Sequence, residues 1–187
     1  MRQAGSVESM WSALRSARPD LVGPDDSCSA WHFCDNKSDA DELAQLVLVG
    51  AKRATAGALW SYEAEGEPLP QSGALSVITD WDGNPCCVIR TVSVEVAAFE
   101  DVGDRFAATE GEGDGSLAYW REAHWVAFAR SLATVGREPA PDMPVVCEVF
   151  EVVFPLQAAG SIQDDLNESV SPLRRPITRH DPAIGRG

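Results

Sequence analysis

Val49-Gly50-Ala51-Lys52-Arg53-Ala54-Thr55 is the stretch on which the reading of this chain turns. A patterned helix runs into it over residues 38–49: Ser38 and Asp41 form an S-x-x-D capping box, and Leu43, Ala44, Leu46 and Val47 recur near helical spacing. Gly50 ends that helix, because glycine takes the left-handed conformation a helix C-cap needs. Lys52 and Thr55 therefore leave the helix end in a fixed direction, three positions apart and within mutual reach where the backbone turns. A threonine hydroxyl attacks a carbonyl only when a base takes its proton, and a lysine is that base only where burial or a neighbouring cation, here Arg53, favours its neutral form. The plainer reading has Lys52 complementing the helix dipole while Thr55 starts a strand or caps a helix.

Upstream, residues 7–17 form an amphipathic helix with Val7, Met10, Trp11 and Leu14 on one stripe, ended by Pro19 and serving as a brace. Residues 30–34 are a short aromatic segment, a strand or a pocket wall. Downstream, residues 56–62 read as a short helix, and residues 66–73 have the proline and glycine density of a connecting loop. Residues 74–81 and 86–96 flank Asp82-Gly83-Asn84, the signature of a β-hairpin. An acidic loop follows over 99–104, then the glycine-spaced run Glu110-Gly111-Glu112-Gly113-Asp114-Gly115. A second strong helix spans 116–132, with Leu117, Trp120, His124, Phe128 and Leu132 on one face and Gly136 past its end. Residues 143–154 form a closing strand whose apolar pattern is broken by Glu148 and Glu151. Residues 155–187 turn polar and proline-containing, the composition of a disordered tail, locally basic at Arg174, Arg175, Arg179 and Arg186.

A length of 187 residues with 44% hydrophobic content suits one domain with a true core. The formal net charge of -14 argues against holding long duplex nucleic acid or an anionic membrane by bulk electrostatics. No apolar run approaches a membrane span and the N-terminus has no secretory h-region, so a soluble cytoplasmic chain is expected. The five cysteines include no C-x-x-C pair, which leaves free thiols as the default and offers no zinc site.

Glu110, Glu112 and Asp114 offer three carboxylates that could take a divalent cation or supply an acid–base group, though the spacing completes no calcium loop. The bland reading is a solvated loop leading into the positive end of the next helix. Trp120, Arg121, His124 and Trp125 place two large rings, a guanidinium and an imidazole within one and a half turns, the side chains that stack on an unpaired base. Core packing is the alternative for Trp120, and a hydrogen-bonded structural role the alternative for His124.

Together these residues resemble the ASCH superfamily, and in particular its longer bacterial members. The diagnostic piece is G-x-K-x-x-T, here Gly50 to Thr55, supported by Trp31-His32-Phe33-Cys34-Asp35, Ala40-Asp41-Glu42-Leu43-Ala44 and the run from Glu110 to His124. The resemblance implies an α+β fold, a PUA-like β-barrel flanked by helices over residues 1–154, with a cleft beside the motif that accepts RNA or a nucleotide-like ligand. Small bacterial members deacylate N4-acetylcytidine with a lysine, a threonine and a glutamate, which fall on Lys52, Thr55 and Glu110, with Glu112 competing for the acidic role. The resemblance thus implies a hydrolase acting on a modified nucleoside, Lys52 as base, Thr55 as nucleophile and Glu110 recharging Lys52. Arg53, Glu112, Trp120, Arg121 and His124 are then the substrate-binding candidates. A non-catalytic module gripping a nucleotide or short single-stranded RNA, or a cation-assisted ribonuclease, is the alternative. Neither a resident metal nor a cofactor is expected. The N-terminal helix, the longer acidic segment and the aromatic helix depart from the small amidohydrolases.

Overall fold

The computed structural model describes residues 6–155 apart from 24, 25 and 27. Its three long helices each start on a side chain that takes up a free amide of the first turn. Ser6 accepts from Ser9 N at the head of α1 (Val7–Ala17), Asn36 from Asp39 N at the head of α2 (Lys37–Leu48), and Ser116 from Tyr119 N at the head of α5 (Leu117–Thr134). At α2 this corrects the expected box of Ser38 and Asp41. The Asn36 amide accepts from Asp39 N at 3.0 Å and donates to the Asp39 carboxylate at 2.8 Å, so the reciprocal arrangement forms two residues earlier. Asparagine suits the position because one side chain supplies both acceptor and donor. Asp41 instead accepts from Trp81 N at 3.0 Å and ties α2 to the hairpin turn.

Five strands follow the order β1-β3-β4-β5-β2: β1 (Ser29–Trp31), β2 (Ala54–Ala58), β3 (Leu75–Thr79), β4 (Pro85–Ala98) and β5 (Pro144–Phe154). All pairings are antiparallel except β1 with β3. The sheet curls into a half-barrel. One source of the curl lies in β4, where Thr91 faces Phe150 and Ser93 faces Val149, so Val92 is an extra residue without a partner. Such a bulge bends its strand and redirects the neighbouring side chains.

The helices cover the sheet through three apolar clusters. Trp11 and Leu14 of α1 pack on Val77, Val88 and Val153. Leu43, Ala44 and Val47 of α2 pack with Phe33, Ile78, Ile89 and Phe150. Trp120, Phe128 and Leu132 of α5 pack with Phe99, Met143 and Val145. Each fully buried aliphatic or aromatic side chain stabilises the fold by about 1.5–3 kcal/mol. Among the described residues no helix is long and apolar enough to cross a membrane.

Two expectations change. Residues 56–62 are not one helix: β2 continues through Ala58, and α3 (Leu59–Glu65) begins only there. Alanine and glycine make poor strand formers alone, but this strand runs close under a ring, since a Cβ on Gly57 would lie 2.9 Å from Tyr62. The expected acidic loop is instead a 3-10 turn, Phe99–Asp101, followed by a short helix, α4 (Asp104–Glu110). The tail expected over 155–187 lies, beyond Pro155, outside the described residues.

Gly66 and Gly111 both end short helices in the left-handed region, at φ 70° and 65°. A Cβ on Gly66 would meet nothing, whereas one on Gly111 would lie 2.2 Å from Ala51 O. Gly66→Ala should cost about 1 kcal/mol from backbone strain alone, and Gly111→Ala more than about 2 kcal/mol because the chain must also move apart. Urea unfolding of the two variants measures the difference.

Candidate functional site

Gly50, at φ 86°, turns the chain out of α2, and Lys52 and Arg53 are stitched to three elements. Lys52 N donates to Leu46 O at 3.0 Å, Arg53 N to Thr109 O at 2.9 Å, and Phe150 N to Arg53 O at 2.9 Å. The Arg53 guanidinium closes the end of α2 by donating to Val47 O at 3.0 Å and Lys52 O at 2.9 Å. Gly111 lets the end of α4 press onto Ala51, which carries Glu110 over the Lys52 side chain.

The result is a buried charge cluster. Lys52 has no exposed surface, and its Nζ donates to Glu110 Oε1 at 3.0 Å and Glu112 Oε1 at 2.5 Å. The Phe33 ring centroid lies 5.1 Å from the same nitrogen. Trp120 Nε1 donates to the other Glu110 oxygen at 2.5 Å. His124 places Nε2 3.3 Å from Glu110 Oε1 and Nδ1 2.9 Å from Trp120 O. Both neighbours are acceptors, so both imidazole nitrogens must donate and the ring is an imidazolium. Two cations then balance two carboxylates.

The electrostatics agree. Burial is the largest single influence and would raise the Glu110 pKa, but the Lys52 ammonium, His124 and the indole N–H together outweigh it, and the carboxyl falls to about 2. Burial works against the His124 imidazolium, yet hydrogen bonding and attraction to Glu110 win and its pKa rises.

Beside this cluster opens a cleft of about 1300 Å³. Thr55, Glu110, Glu112, Tyr119 and His124 line it, together with Phe33 and Cys34 from the aromatic segment after β1. Nine carboxylate side chains face it against a single arginine, Arg130, which is itself held by Asp35 at 2.9 and 3.0 Å. The Cys34 thiol, pushed up to about 11 by burial and nearby carboxylates, stays protonated.

The structure therefore joins Lys52, Glu110, Glu112, Trp120 and His124 and sets Thr55 on the wall of the same cleft. Among the described residues the Lys52 hydrogen bonds run to the two carboxylates and not to Thr55. Arg53 and Arg121 stand apart: the first closes α2, and the second donates to Glu100 O at 2.8 Å to fasten α5 to the preceding turn. Trp120 is interior, its ring stacked on Phe99 at 5.3 Å and on His124 at 4.3 Å, so it offers no open face for a base. Asp114 accepts from Ser116 N at 2.8 Å and leaves the acidic group. Glu110, Glu112 and His124 bring ligand atoms within 4.8 Å of one another, a metal-like grouping in which the Lys52 ammonium already supplies positive charge. Tyr62 and Glu148 are among the lining residues that sequence reasoning did not single out as candidates; the signal of the second was a carboxylate interrupting an apolar strand.

The ASCH domain family model matches residues 29–154. The structure is similar to the crystal structure of an ASCH domain from Lactobacillus crispatus JV V101, with a TM-score of 0.69 and 38% identity over 81% of this chain and 98% of that one. It is also similar to the crystal structure of a protein from Enterococcus faecalis V583, with a TM-score of 0.70 and 36% identity over 79% of this chain and 87% of the other. A search of curated proteins gives no match.

Breaking the cluster should be costly. Glu110→Gln leaves Lys52 short of charge compensation and is expected to destabilise the protein by about 3–5 kcal/mol at pH 7. Folding lowers the Glu110 pKa, so its contribution is complete above the unfolded value of about 4.3 and drains away as pH falls toward about 2. Urea titrations of wild type and Glu110→Gln should converge over that window and stay apart at neutral pH.

Proposed function

The chain belongs to the ASCH domain family, and from that premise we propose that it is a hydrolase cleaving an amide of a neutral, nucleoside-sized ligand such as an N4-acylcytidine. The observation that carries this reading is the fully buried Lys52, held by Glu110 and Glu112 beside a cleft whose wall presents the Thr55 hydroxyl. A lysine buried with two carboxylates can exchange protons with them at little cost in net charge, which is what a threonine nucleophile requires.

In this reading Thr55 Oγ1 attacks the amide carbonyl carbon and the C–N bond breaks, leaving the acyl group on Thr55. Lys52 first passes a proton to Glu110, with Glu112 beside it, and then takes the Thr55 proton. The protonated Glu110 carboxyl gives its proton to the departing amine and becomes a carboxylate again, and water hydrolyses the acyl ester to free Thr55. Ligand binding brings Oγ1 and Nζ together, as catalytic hydrogen bonds commonly tighten only in the complex.

The acidic lining supports a neutral ligand over a polyanion: Lys52 and His124 balance Glu110 and Glu112, Asp35 holds Arg130, and phosphates would meet Asp39, Glu42, Glu65, Glu67 and Glu122, which have no paired cation among the described residues. A single-stranded RNA grip draws on less, since Arg53 is spent on backbone carbonyls and Trp120 on the core. A cation-assisted ribonuclease would have to displace Lys52 from the carboxylates it bridges.

Purified protein should turn over N4-acetylcytidine at rates that change little between low and high salt. Lys52→Ala, Thr55→Ala and Glu110→Ala should each lower kcat by at least roughly 100-fold. Absence of turnover with every N4-acylcytidine tried, or three variants as active as wild type, removes the reading.

A further inference from the structure

Glu148 lies in the middle of β5, directly opposite Thr55 of β2. Side chains opposite one another in an antiparallel pair share a face, with Cβ atoms about 5 Å apart. On that face Glu148 lines the same cleft as Thr55, yet it belongs to no part of the Lys52 cluster. Only 6% of its surface is exposed, and among the described residues no cation pairs with it. Its one hydrogen bond comes from Thr91, whose hydroxyl donates to Oε1 at 2.6 Å. The bulge at Val92 shifts the register of β4 immediately after Thr91, beside this bond. The second carboxyl oxygen has no hydrogen-bond partner among the described residues.

We propose that Glu148 is the ligand-reading residue of this cleft, pairing its carboxyl with adjacent hydrogen-bond donor and acceptor groups on an amide or amidine edge, such as that of a pyrimidine base. Burial without a cation favours the protonated carboxyl, and that acid offers an O–H donor beside a C=O acceptor. Burial pushes the Glu148 pKa up, and the Thr91 hydrogen bond only partly offsets that rise. The complementary edge is a ring nitrogen or carbonyl next to an N–H. A base held there places a substituent on its edge over Thr55, one strand away. The Tyr62 ring, lying against the bare backbone of Gly57, walls the cleft alongside. The inference rests on the nucleoside-sized ligand proposed above and adds the residue that selects it.

The groups around Glu148 set the pH behaviour. Thr55 of β2 and Thr91 of β4 carry no charge; Tyr62 faces the cleft from α3, with Glu65 and Glu67 nearby, Glu110 and Glu112 from the end of α4, and His124 from α5. Raising the pH through the Glu148 titration ionises it and removes the donor, so binding should weaken. Glu148→Gln keeps a donor and an acceptor in place at every pH and separates this effect from the other titrating groups.

The test is calorimetric or NMR titration of the full chain with cytidine, uridine and 3-methyluridine, an uncharged probe whose ring N–H is blocked. Wild type should bind cytidine and uridine at least about tenfold more tightly than 3-methyluridine. Glu148→Gln should hold affinity within about threefold and lose the pH dependence, and Glu148→Ala should lose roughly tenfold or more. Equal binding of uridine and 3-methyluridine by wild type, or unchanged binding by Glu148→Ala, overturns the role of Glu148 while leaving the nucleoside reading standing. No binding of any nucleoside by wild type overturns both.

Discussion

Lys52 carries its charge with no exposed surface, and an ammonium moved alone into such a place would cost several kcal/mol. Glu110 and Glu112 offset that cost at 3.0 and 2.5 Å, but Glu110 is itself 1% exposed and creates a second desolvation problem. Its remaining oxygen is satisfied by the Trp120 indole, and its first oxygen is shared with His124. Those two residues sit one helical turn apart on α5, stacked on one another, so a single stretch of helix supplies both. The cluster is all or nothing: each member is affordable only because the others are present.

That requirement explains features with no other reason to exist. α4 has only seven residues, too few to be stable alone, and its last residue is Glu110. Gly111 then permits a contact with Ala51 that any side chain would block, and Gly113 lies under the Tyr119 ring, where an added Cβ would come within 2.4 Å. Gly111 and Gly113 of the acidic run are therefore spacers for close packing, whereas a Cβ on Gly115 would meet nothing within 4 Å. On the opposite side of Lys52, the Arg53 guanidinium and the backbone bonds to Thr109 and Phe150 prevent the motif from drifting.

The long elements were legible from the chain because period and caps coincide. Trp11 and Leu14, Leu43 and Val47, and Trp120, His124 and Phe128 each mark a helix face that the core covers, and Asp82-Gly83-Asn84 marks the hairpin that Asp80 and Asn84 close at 2.9 Å. α4 was not legible, since seven residues whose apolar content is the consecutive Phe106, Ala107 and Ala108 show no period. β2 was misread because Ala56 and Gly57 owe their extended form to β5 and Tyr62, not to their own preferences. In the site, Lys52 and Glu110 are 58 positions apart, a separation that only the family resemblance bridged. Arg53 and Arg121 were assigned to a ligand by residue type, yet the carbonyls of Val47, Lys52 and Glu100 were nearer partners. Glu148 was visible only as an interruption, because burial of a carboxyl has no sequence pattern of its own.

The two ends of the cleft treat charge in opposite ways. Around Lys52 the charges are full and compensated, which in the proposed reading lets these groups exchange protons without a change in net charge. At Glu148 no cation compensates among the described residues, and burial raises the carboxyl's pKa, favouring its protonated form. Between them stands Thr55, three residues from Lys52 and directly across the sheet from Glu148. At physiological salt the screening length is about 8 Å, comparable to the reach of a nucleoside, so the acidic rim is felt throughout the space such a ligand would fill. On the proposed reading, a phosphate would be repelled by that rim, whereas an uncharged base would pass it and meet the hydrogen-bonding edge of Glu148. In the proposed reading, charge selects the class of ligand, the Glu148 carboxyl reads its edge, and the Lys52 cluster acts on the group left over Thr55.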